Sequence, residues 1–395
     1  MPLGIYISVP FCRTKCSYCN FASDVFSRAV FERYVDRVCA DIENAPYIAA
    51  QVRGQLERDV DSIYLGGGTP TVLEPAQLER MFGAVRRQFD VSKEAEITVE
   101  CAPGTLTGAA LESLLRCGVN RVSLGVQSFV DQEAAAVGRL HKRATVLDDI
   151  ARMRAAGLTN INIDLIAGLP HQTAKSWEFS LAETIATGAP HVSAYMLEID
   201  EDSRLGRELL AGGTRYHAHF VPDEESTADF YLAACEQLQS AGIAQYEISN
   251  FARAGFESRH NLKYWTRQPY IAFGVDAHSM LTSSAPDADA VRFATADSLE
   301  QYVSSIGLPP TAVSSLAALE ESFFLGLRLN RGVSLRELAR KFGETNVENS
   351  CVAIAELVEA GLMQRAGDFV HLTARGRLLS NEVFERFILA DGVAR

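Results

Sequence analysis

Three cysteines near the start of the chain, Cys12, Cys16 and Cys19, are the residues whose type and spacing most directly predict chemistry. They stand in a C-x3-C-x2-C spacing, and no fourth cysteine lies close by. A [4Fe-4S] cluster normally takes four cysteine thiolates, so a cluster held by three keeps one iron open to a small molecule. A catalytic zinc site keeps an open position in the same way. The spacing therefore predicts a [4Fe-4S] cluster with one open iron.

A zinc site is the alternative interpretation of the same cysteines. Structural zinc takes a closed tetrahedral set of ligands, which come in pairs such as C-x2-C followed by a second pair. Here the next cysteine, Cys39, stands alone in a helical stretch, and the first histidine is His141. The spacing favours the cluster and leaves a three-thiolate zinc site open. The other cysteines are scattered singly, mostly in apolar stretches, which fits free thiols in a reducing compartment.

The composition of the chain argues against several classes of function. Its 395 residues are 47% hydrophobic and 22% charged, which is typical of a globular protein with one large domain and a smaller one. The net charge of −13 argues against binding to nucleic acid or to anionic membranes, because both need a basic face. Neither a signal peptide nor a membrane span is recognisable, so we expect a cytoplasmic protein without stable membrane insertion.

Predicted strands and helices alternate through the first half of the chain, which is typical of parallel β-α-β units. Short β-branched runs predict six strands, at Ile5–Val9, Ser62–Gly68, Glu96–Glu100, Arg121–Gln127, Asn160–Ile166 and His191–Leu197. Amphipathic stretches predict intervening helices at Phe31–Asn44, Pro75–Phe89, Leu106–Cys117 and Ala174–Thr187. Helical sequence is also expected between the strand that ends at Gln127 and Ala156. Six units of this kind suit either an open barrel or a doubly wound sheet.

Polar residues at the ends of successive strands favour the barrel. Gly66–Gly68 end the second strand, and Glu100, Gln127 and Asp164 end the next three. In a barrel, the carboxyl ends of the strands converge on one face, where active sites are built. We therefore predict an α/β fold with a partial (β/α)6 TIM-like barrel, in which the cysteine loop follows the first strand.

The second half of the chain has a looser pattern. A helix is expected at Asp223–Ala241, followed by a mixed, loop-rich stretch at Tyr246–Ser279. After Pro309-Pro310, a winged-helix-like pattern begins, with acids and bases nearly balanced, so we expect a packing or partner module there. Its predicted elements are helices at Leu316–Leu329, Leu335–Lys341 and Val347–Glu359, a hairpin around Gly367-Asp368, and a helix from Arg375. The expected domains are 1–240, 241–310 and 311–395.

With these motifs in place, the chain resembles the radical S-adenosylmethionine (SAM) superfamily, and within it the oxygen-independent coproporphyrinogen III oxidase family. The resemblance extends over nearly the whole chain. Seven motifs occur in the family's order: YISVPFC, CRTKCSYCNF, YLGGGTPT, LGVQSF, INIDLIAGLP, YEISNFA and HNLKYW. The resemblance implies a [4Fe-4S] cluster whose open iron chelates SAM, and whose electron splits SAM to give a 5′-deoxyadenosyl radical.

The resemblance also implies roles for individual residues. Cys12, Cys16 and Cys19 match the cluster ligands of the family. Side-chain-free backbone at the glycines suits the close approach of a ligand. The positions that match SAM contacts are Tyr6, Gly67, Gly68, Thr69, Glu100, Gln127, Arg139 and Asp164.

Two departures from the true oxidases indicate the heme-chaperone branch of the family. The oxidases continue the cluster motif to a further cysteine, where this chain has Phe21, and they carry a longer N-terminal segment. The HNLKYW motif at 260–265 is characteristic of that branch. The resemblance therefore implies a heme carrier whose partners are heme or porphyrin and a heme-acceptor protein. Oxidation of coproporphyrinogen III is the alternative function, and a zinc-binding structural protein is the third.

The chemistry of the HNLKYW motif also suits heme. Heme needs an imidazole for its iron, flat apolar surface for its macrocycle and cations for its propionates. We predict that His260 is the iron ligand. If it is not, His278 or the pair His217 and His219 are the next candidates. The alternative interpretation is that His260 is a solvated histidine in a polar loop that does not bind heme. The cations around the motif are Arg253, Arg259, Lys263 and Arg267.

Overall fold

A sheet with seven parallel strands forms the centre of this computed structural model, which describes residues 1–304 and 309–388. The strands are β1 (Leu3–Val9), β2 (Gly54–Gln55), β3 (Asp59–Gly67), β4 (Asp90–Cys101), β5 (Arg121–Gln127), β6 (Ile161–Ala167), β7 (His191–Met196), β8 (Ala244–Glu247), β9 (Asn250–Ala252), β10 (Tyr270–Gly274), β11 (His278–Ser283), β12 (Ala290–Ala294), β13 (Thr311–Val313), β14 (Val333–Ser334), β15 (Met363–Ala366) and β16 (Phe369–Leu372).

Helices follow most of the parallel strands and cover the outside of the sheet. They are α1 (Phe31–Glu43), α2 (Ala45–Gln51), α3 (Pro75–Gln88), α4 (Gly108–Arg116), α5 (Asp131–Ala136), α6 (Arg143–Ala155), α7 (Ala174–Thr187), α8 (Arg204–Leu210), α9 (Glu224–Ser240), α10 (Arg259–Trp265), α11 (Leu299–Ser304), α12 (Ser315–Gly326), α13 (Leu335–Phe342), α14 (Glu344–Glu348), α15 (Cys351–Glu359), α16 (Ala374–Leu378) and α17 (Ser380–Glu385). Each described helix is too short or too polar to span a membrane.

The predicted fold class is confirmed. The order β1-β3-β4-β5-β6-β7 contains all six predicted strands, with parallel pairing throughout. The side chains of β1, β5 and β6 are almost entirely buried, as expected for parallel strands that are covered on both faces. The seventh parallel strand, β10, pairs with the free edge of β1, and the sequence pattern placed it in a loop-rich stretch.

The C-terminal module has its own apolar core. This core includes Leu319, Phe323, Leu357 and Val370, and the three-stranded sheet is ordered β14-β16-β15. The elements match the predicted winged-helix-like pattern, except that the single helix expected at Val347–Glu359 is divided into α14 and α15. Asn349 and Ser350 lie at the break, and such residues favour helix ends because their side chains compete for backbone hydrogen bonds.

Helix α10, which contains the whole HNLKYW motif, packs against β1, β3 and β4. The Glu96 carboxylate on β4 accepts hydrogen bonds from the amides of Arg259 and His260, at 3.1 and 3.0 Å, and so satisfies the first turn of the helix. On β1, a Cβ at Gly4 would lie only 2.8 Å from Cδ of Lys263. The absence of a side chain at Gly4 therefore lets α10 approach the sheet.

Arg267, just after α10, joins the core to the C-terminal module through buried ion pairs. Its guanidinium lies 2.7 Å from Glu321 on α12 and 3.0 Å from Asp289, and its side chain is only 4% exposed. Removing one member of a buried ion pair leaves the opposite charges without compensation.

We expect the substitution Arg267→Met to lower the free energy of unfolding by about 3 kcal/mol, because Glu321 and Asp289 lose their closest cation. Each carboxylate keeps one partner that is about half exposed, Arg292 for Glu321 and Lys341 for Asp289. The matched control is Arg58→Met, which breaks an ion pair with Asp90 whose side chains are 62% and 64% exposed. That change should cost less than about 1 kcal/mol. Urea unfolding of both variants measures the difference, and equal effects would contradict a supporting role for the Arg267 pairs.

Candidate cofactor site

The three predicted cluster ligands lie in the loop after β1, and main-chain hydrogen bonds close the base of this loop. The amide of Cys12 donates to the carbonyl of Asp24 at 3.0 Å, and the amide of Asp24 donates to the carbonyl of Pro10 at 2.9 Å. All three cysteines are free thiols; Cys16 is buried, whereas Cys12 and Cys19 are half-buried. The loop therefore presents three thiols from a fixed base.

Helix α8 supports the middle of the cysteine loop. The amide of Leu205 donates to the carbonyl of Ser17 at 2.8 Å, and the guanidinium of Arg204 donates to the carbonyl of Lys15. The side chain of Lys15 in turn donates to the carbonyl of Phe21 at 2.6 Å. These bonds satisfy backbone groups that a long loop would otherwise leave unpaired.

The glycine segment at the end of β3 lies directly against the cysteine loop. The amides of Gly68 and Thr69 donate to the carbonyls of Val9 and Phe11, both at 2.7 Å. A Cβ at Gly68 would lie 2.6 Å from the oxygen of Phe11 and 3.0 Å from Sγ of Cys12. Only glycine permits this approach, which brings the predicted SAM segment beside a predicted cluster ligand.

Glu100 is a half-buried carboxyl group near the end of β4, and it faces the cavity beside the cysteine loop. It accepts hydrogen bonds from the hydroxyl of Tyr64 at 2.8 Å and from the amide of Gly67 at 3.1 Å. Burial raises the pKa of Glu100 to about 8; the two hydrogen bonds oppose this shift and nearby Asp164 adds to it. A positive charge in the cavity would favour the ionised form of this group.

Asp164 is a second half-buried carboxyl group, and it lies in the middle of β6 rather than at the strand end where the sequence pattern placed it. Its oxygens accept hydrogen bonds from Ser123 at 3.0 Å and from Asn162 at 2.7 Å. Burial raises the pKa of Asp164 above its usual range, although these hydrogen bonds and the charge of Arg139 act in the opposite direction.

Two polar side chains in the same region have buried atoms without a hydrogen-bond partner. Gln127 ends β5 with a left-handed φ of 68°, and its Oε1 is unpaired. Arg139 donates from Nη2 to the carbonyl of Gly125 at 2.7 Å, while its Nε is unpaired. Buried polar atoms normally have partners, so a free acceptor and a free donor here fit a ligand such as SAM, which offers an amino group, hydroxyl groups and a carboxylate.

These side chains and the cysteine loop line one cavity of about 370 Å³. Sequence reasoning missed several of its polar residues. Their signal was a polar residue at every second position of a buried strand, as in NINID and HVSAY, because alternate side chains of a strand share one face. The missed residues are Tyr64, Ser123, Asn162, His191 and Ser193.

Seven of the eight predicted SAM residues line this cavity, and Tyr6 does not. The Tyr6 ring lies beside those of Tyr64 and His260, with centroid separations of 6.0 and 6.4 Å. Tyr64, on the neighbouring strand, faces the cavity and donates to Glu100. Contact between Tyr6 and SAM stays a prediction.

The imidazole of His260 is 1% exposed, and both of its nitrogens have partners. Nδ1 lies 3.0 Å from the hydroxyl of Ser62, and Nε2 lies 2.8 Å from the hydroxyl of Tyr264. Burial, with help from the charge of Lys263, lowers the pKa of His260 to about 3, so the ring is neutral. Iron ligation by His260 stays a prediction, and it requires the ring to give up one of these bonds.

Most of the cations near the HNLKYW motif have protein partners. Lys263 is buried and lies 2.7 Å from Asp61, and Arg259 lies 3.9 Å from the same carboxylate. Arg267 is held by Glu321 and Asp289. The cluster of positive charge that the sequence suggests is therefore largely neutralised around α10.

Comparisons with known proteins agree with this architecture. Residues 6–182 match the radical SAM superfamily, and residues 313–379 match the HemN C-terminal domain. The chain is 35% identical to the heme chaperone HemW of Bacillus subtilis, over 97% of this chain and 98% of that protein. It is 29% identical to the heme chaperone HemW of Escherichia coli, over 98% of each.

A solved structure supports the fold independently of these sequences. The coproporphyrinogen III oxidase HemN of Escherichia coli superposes with a TM-score of 0.82 at 23% identity, covering 98% of this chain and 90% of that one. Radical SAM proteins use a [4Fe-4S] cluster and SAM, and the free thiols and unpaired polar atoms of the cavity fit both groups. The chain belongs to the HemW family of the radical SAM superfamily.

Proposed function

We propose that this chain is a cytoplasmic heme chaperone, which binds a [4Fe-4S] cluster, SAM and heme and passes heme to an acceptor protein. The observation that carries the proposal is the full-length similarity to proteins named heme chaperone, at 35% identity for the Bacillus subtilis relative. The lining of the cavity is consistent with it. Phe21 stands where the oxidases have a further cysteine, and its side chain is 60% exposed at the cavity.

In this proposal, Cys12, Cys16 and Cys19 hold the cluster. When bound, the cluster supplies one electron and an open iron position for SAM. The protein binds and orients SAM through backbone, acceptor and donor groups around the cavity, and the lining excludes bulk water. The residues assigned to SAM are Tyr6, Gly67, Gly68, Thr69, Glu100, Gln127, Arg139 and Asp164.

The domain boundaries belong to the same proposal. Residues 1–240 would form the cofactor core, 241–310 a linking and heme- or porphyrin-binding segment, and 311–395 a partner module, although 305–308 and 389–395 lie outside the described residues. The apolar core around Phe323 and Val370 supports the third unit, and Ile248, Met280 and Ala290 of the second unit also contribute to it.

Oxidation of coproporphyrinogen III is the alternative function. The similarity to the Escherichia coli oxidase supports a common fold, and a fold does not determine an activity. Phe21, which stands where the oxidases have a further cysteine, lines the candidate site itself. We therefore favour the chaperone.

The first prediction concerns the cluster. Anaerobically prepared protein should contain one [4Fe-4S] cluster per chain, and Cys16→Ala should lose it, because the thiolates are the bonds that hold the iron. Iron and acid-labile sulfide determinations measure this. Cys351→Ala, which removes an exposed free thiol on α15, is the matched control and should keep its cluster. Full cluster content in Cys16→Ala, or zinc in the unaltered protein, would contradict the assignment.

The second prediction concerns Glu100. The substitution Glu100→Gln should weaken SAM binding about tenfold or more, because a hydrogen bond that involves a charged group contributes about 1.5–3 kcal/mol. Calorimetric titration of cluster-loaded protein measures the affinity. Glu57→Gln changes an exposed glutamate and serves as control. Unchanged SAM affinity in Glu100→Gln would remove Glu100 from the site.

Glu100 should also make stability depend on pH. Its pKa is about 8 in the folded chain, against an ordinary value of 4.5, so between these values the folded chain keeps a proton that the unfolded chain releases. The free energy of unfolding should therefore fall as pH rises through this window. Glu100→Gln should show a smaller fall than the unaltered protein in urea unfolding at several pH values; parallel curves would show that Glu100 titrates normally.

The proposed heme-chaperone function can be tested with two assays, one for heme binding and one for oxidase activity. The protein should bind heme stably, and with reductant and SAM it should not convert coproporphyrinogen III to protoporphyrinogen IX, because Phe21 replaces the additional cysteine. A known coproporphyrinogen III oxidase in the same assay provides the positive control. Formation of protoporphyrinogen would replace the proposal with the oxidase.

A further inference from the structure

Ser23 places a buried hydroxyl group at the cofactor cavity, beside the cysteine loop. The residue lines the cavity and is only 5% exposed. Its Oγ is buried and has no hydrogen-bond partner among residues 1–304 and 309–388. Because buried hydroxyl groups normally have a partner, an unused donor at this position indicates a group that accepts its proton when the cavity is filled.

The backbone brings the side chain of Ser23 to the same face as that of Cys12. Phe11 and Asp24 form a parallel bridge, and Cys12 and Ser23 are each the neighbour of one bridged residue. In extended backbone, successive side chains point to opposite faces. Phe11 is fully buried in the core, so Cys12 and Ser23 lie together on the other face, which is the face that lines the cavity.

Lys15 holds Ser23 in a fixed position relative to the cysteines. Its Nζ donates to the carbonyls of Ser23 and Phe21, at 2.5 and 2.6 Å. The amide of Ser23 also donates to the carbonyl of Phe21, at 2.7 Å. Since Lys15 lies between Cys12 and Cys16 in the sequence, the loop that presents the thiols also determines where the Ser23 hydroxyl lies.

The sulfur of Cys12 has two hydroxyl groups close to it. Oγ1 of Thr69 lies 3.9 Å from this sulfur, within the range of a hydrogen bond to sulfur. Burial raises the pKa of the Cys12 thiol, and the hydroxyls of Ser23 and Thr69 both oppose this shift, which places Ser23 close to the sulfur as well. Gly68 also borders this sulfur, and because it has no side chain the sulfur stays accessible to both hydroxyls.

A hydroxyl group at this position would change the redox chemistry of an iron–sulfur cluster. A cysteine binds iron as a thiolate, and a charged sulfur is a stronger hydrogen-bond acceptor than a thiol. Hydrogen bonds to the sulfurs are among the factors that determine the reduction potential of a cluster. Such a bond stabilises the reduced cluster more, because the reduced form carries more negative charge, and so it raises the potential.

We propose that Ser23 is a positioning residue, whose hydroxyl donates a hydrogen bond to the Cys12 sulfur in cluster-loaded protein and raises the reduction potential of the cluster. The inference rests on the proposed function and adds a control on how readily its cluster accepts an electron. The hydroxyl keeps its proton throughout, so Ser23 acts only through Cys12.

The test is a redox titration of full-length, anaerobically prepared protein, in which electron paramagnetic resonance measures the reduced cluster. Ser23→Ala should keep its full iron and sulfide content and shift the equilibrium about tenfold towards the oxidised cluster. For one electron, this shift lowers the potential by about 59 mV.

The matched control is Ser17→Ala, which should leave the potential unchanged. Ser17 belongs to the same loop, is 4% exposed, and likewise has a buried Oγ without a partner in the described part of the chain. Unlike Ser23, it does not line the cavity. The control therefore separates a hydrogen bond to the cluster from a general effect of losing a buried hydroxyl in this loop.

A second pair of variants keeps the test decisive if Ser23→Ala loses its cluster. Threonine and valine have the same shape, but only threonine has a hydroxyl group. Ser23→Thr should therefore keep the potential of the unaltered protein, whereas Ser23→Val should show the lower value. Equal potentials in this pair, or the same shift in Ser17→Ala, would overturn the inference. If the unaltered protein contained no cluster, the proposed function itself would fail.

Discussion

The close contact between the glycine segment of β3 and the cysteine loop is the constraint on which the rest of the site depends. Because Gly68 has no side chain, its amide reaches the carbonyl of Val9 at 2.7 Å, and the space for a Cβ is already taken by Phe11 and Cys12. The same few residues therefore set the position of the thiols and of the strand end. Any side chain at Gly68 would separate the two predicted cofactor sites by moving the loop.

The barrel contains two carboxyl groups whose burial costs free energy, and the packing of its apolar residues offsets that cost. Glu100 and Asp164 both lie inside the sheet, and burial raises the pKa of each. Hydrogen bonds from Tyr64, Ser123 and neighbouring groups satisfy these carboxyl groups only in part. Perturbed carboxyl groups next to unpaired donors and acceptors are typical of a binding site rather than of a structural core.

Local sequence patterns predicted most of the fold, because β-branched runs and helix-ending glycines determine local structure directly. They predicted the six parallel strands β1 and β3 to β7, and Gly67, Glu100 and Gln127 near the strand ends that line the cavity, whereas Asp164 lies in the middle of β6. They could not predict β10, because it pairs with β1, a strand that lies far away in the sequence. They also could not predict that Tyr64, within an apolar strand, points into the cavity. The burial of His260 was likewise hidden, since it depends on the missing side chain at Gly4.

The buried contacts of His260 set the cost of using its ring as a ligand for heme iron. Iron ligation by His260 would require its ring to leave Ser62 or Tyr264, inside a packed interface that Glu96 and Lys263 also hold. Breaking such a set of buried bonds is costly, and each exchange of heme would repeat that cost. The bonds that bury the His260 ring therefore stabilise the packing of α10 against the barrel, and any ligand of this ring must replace one of them.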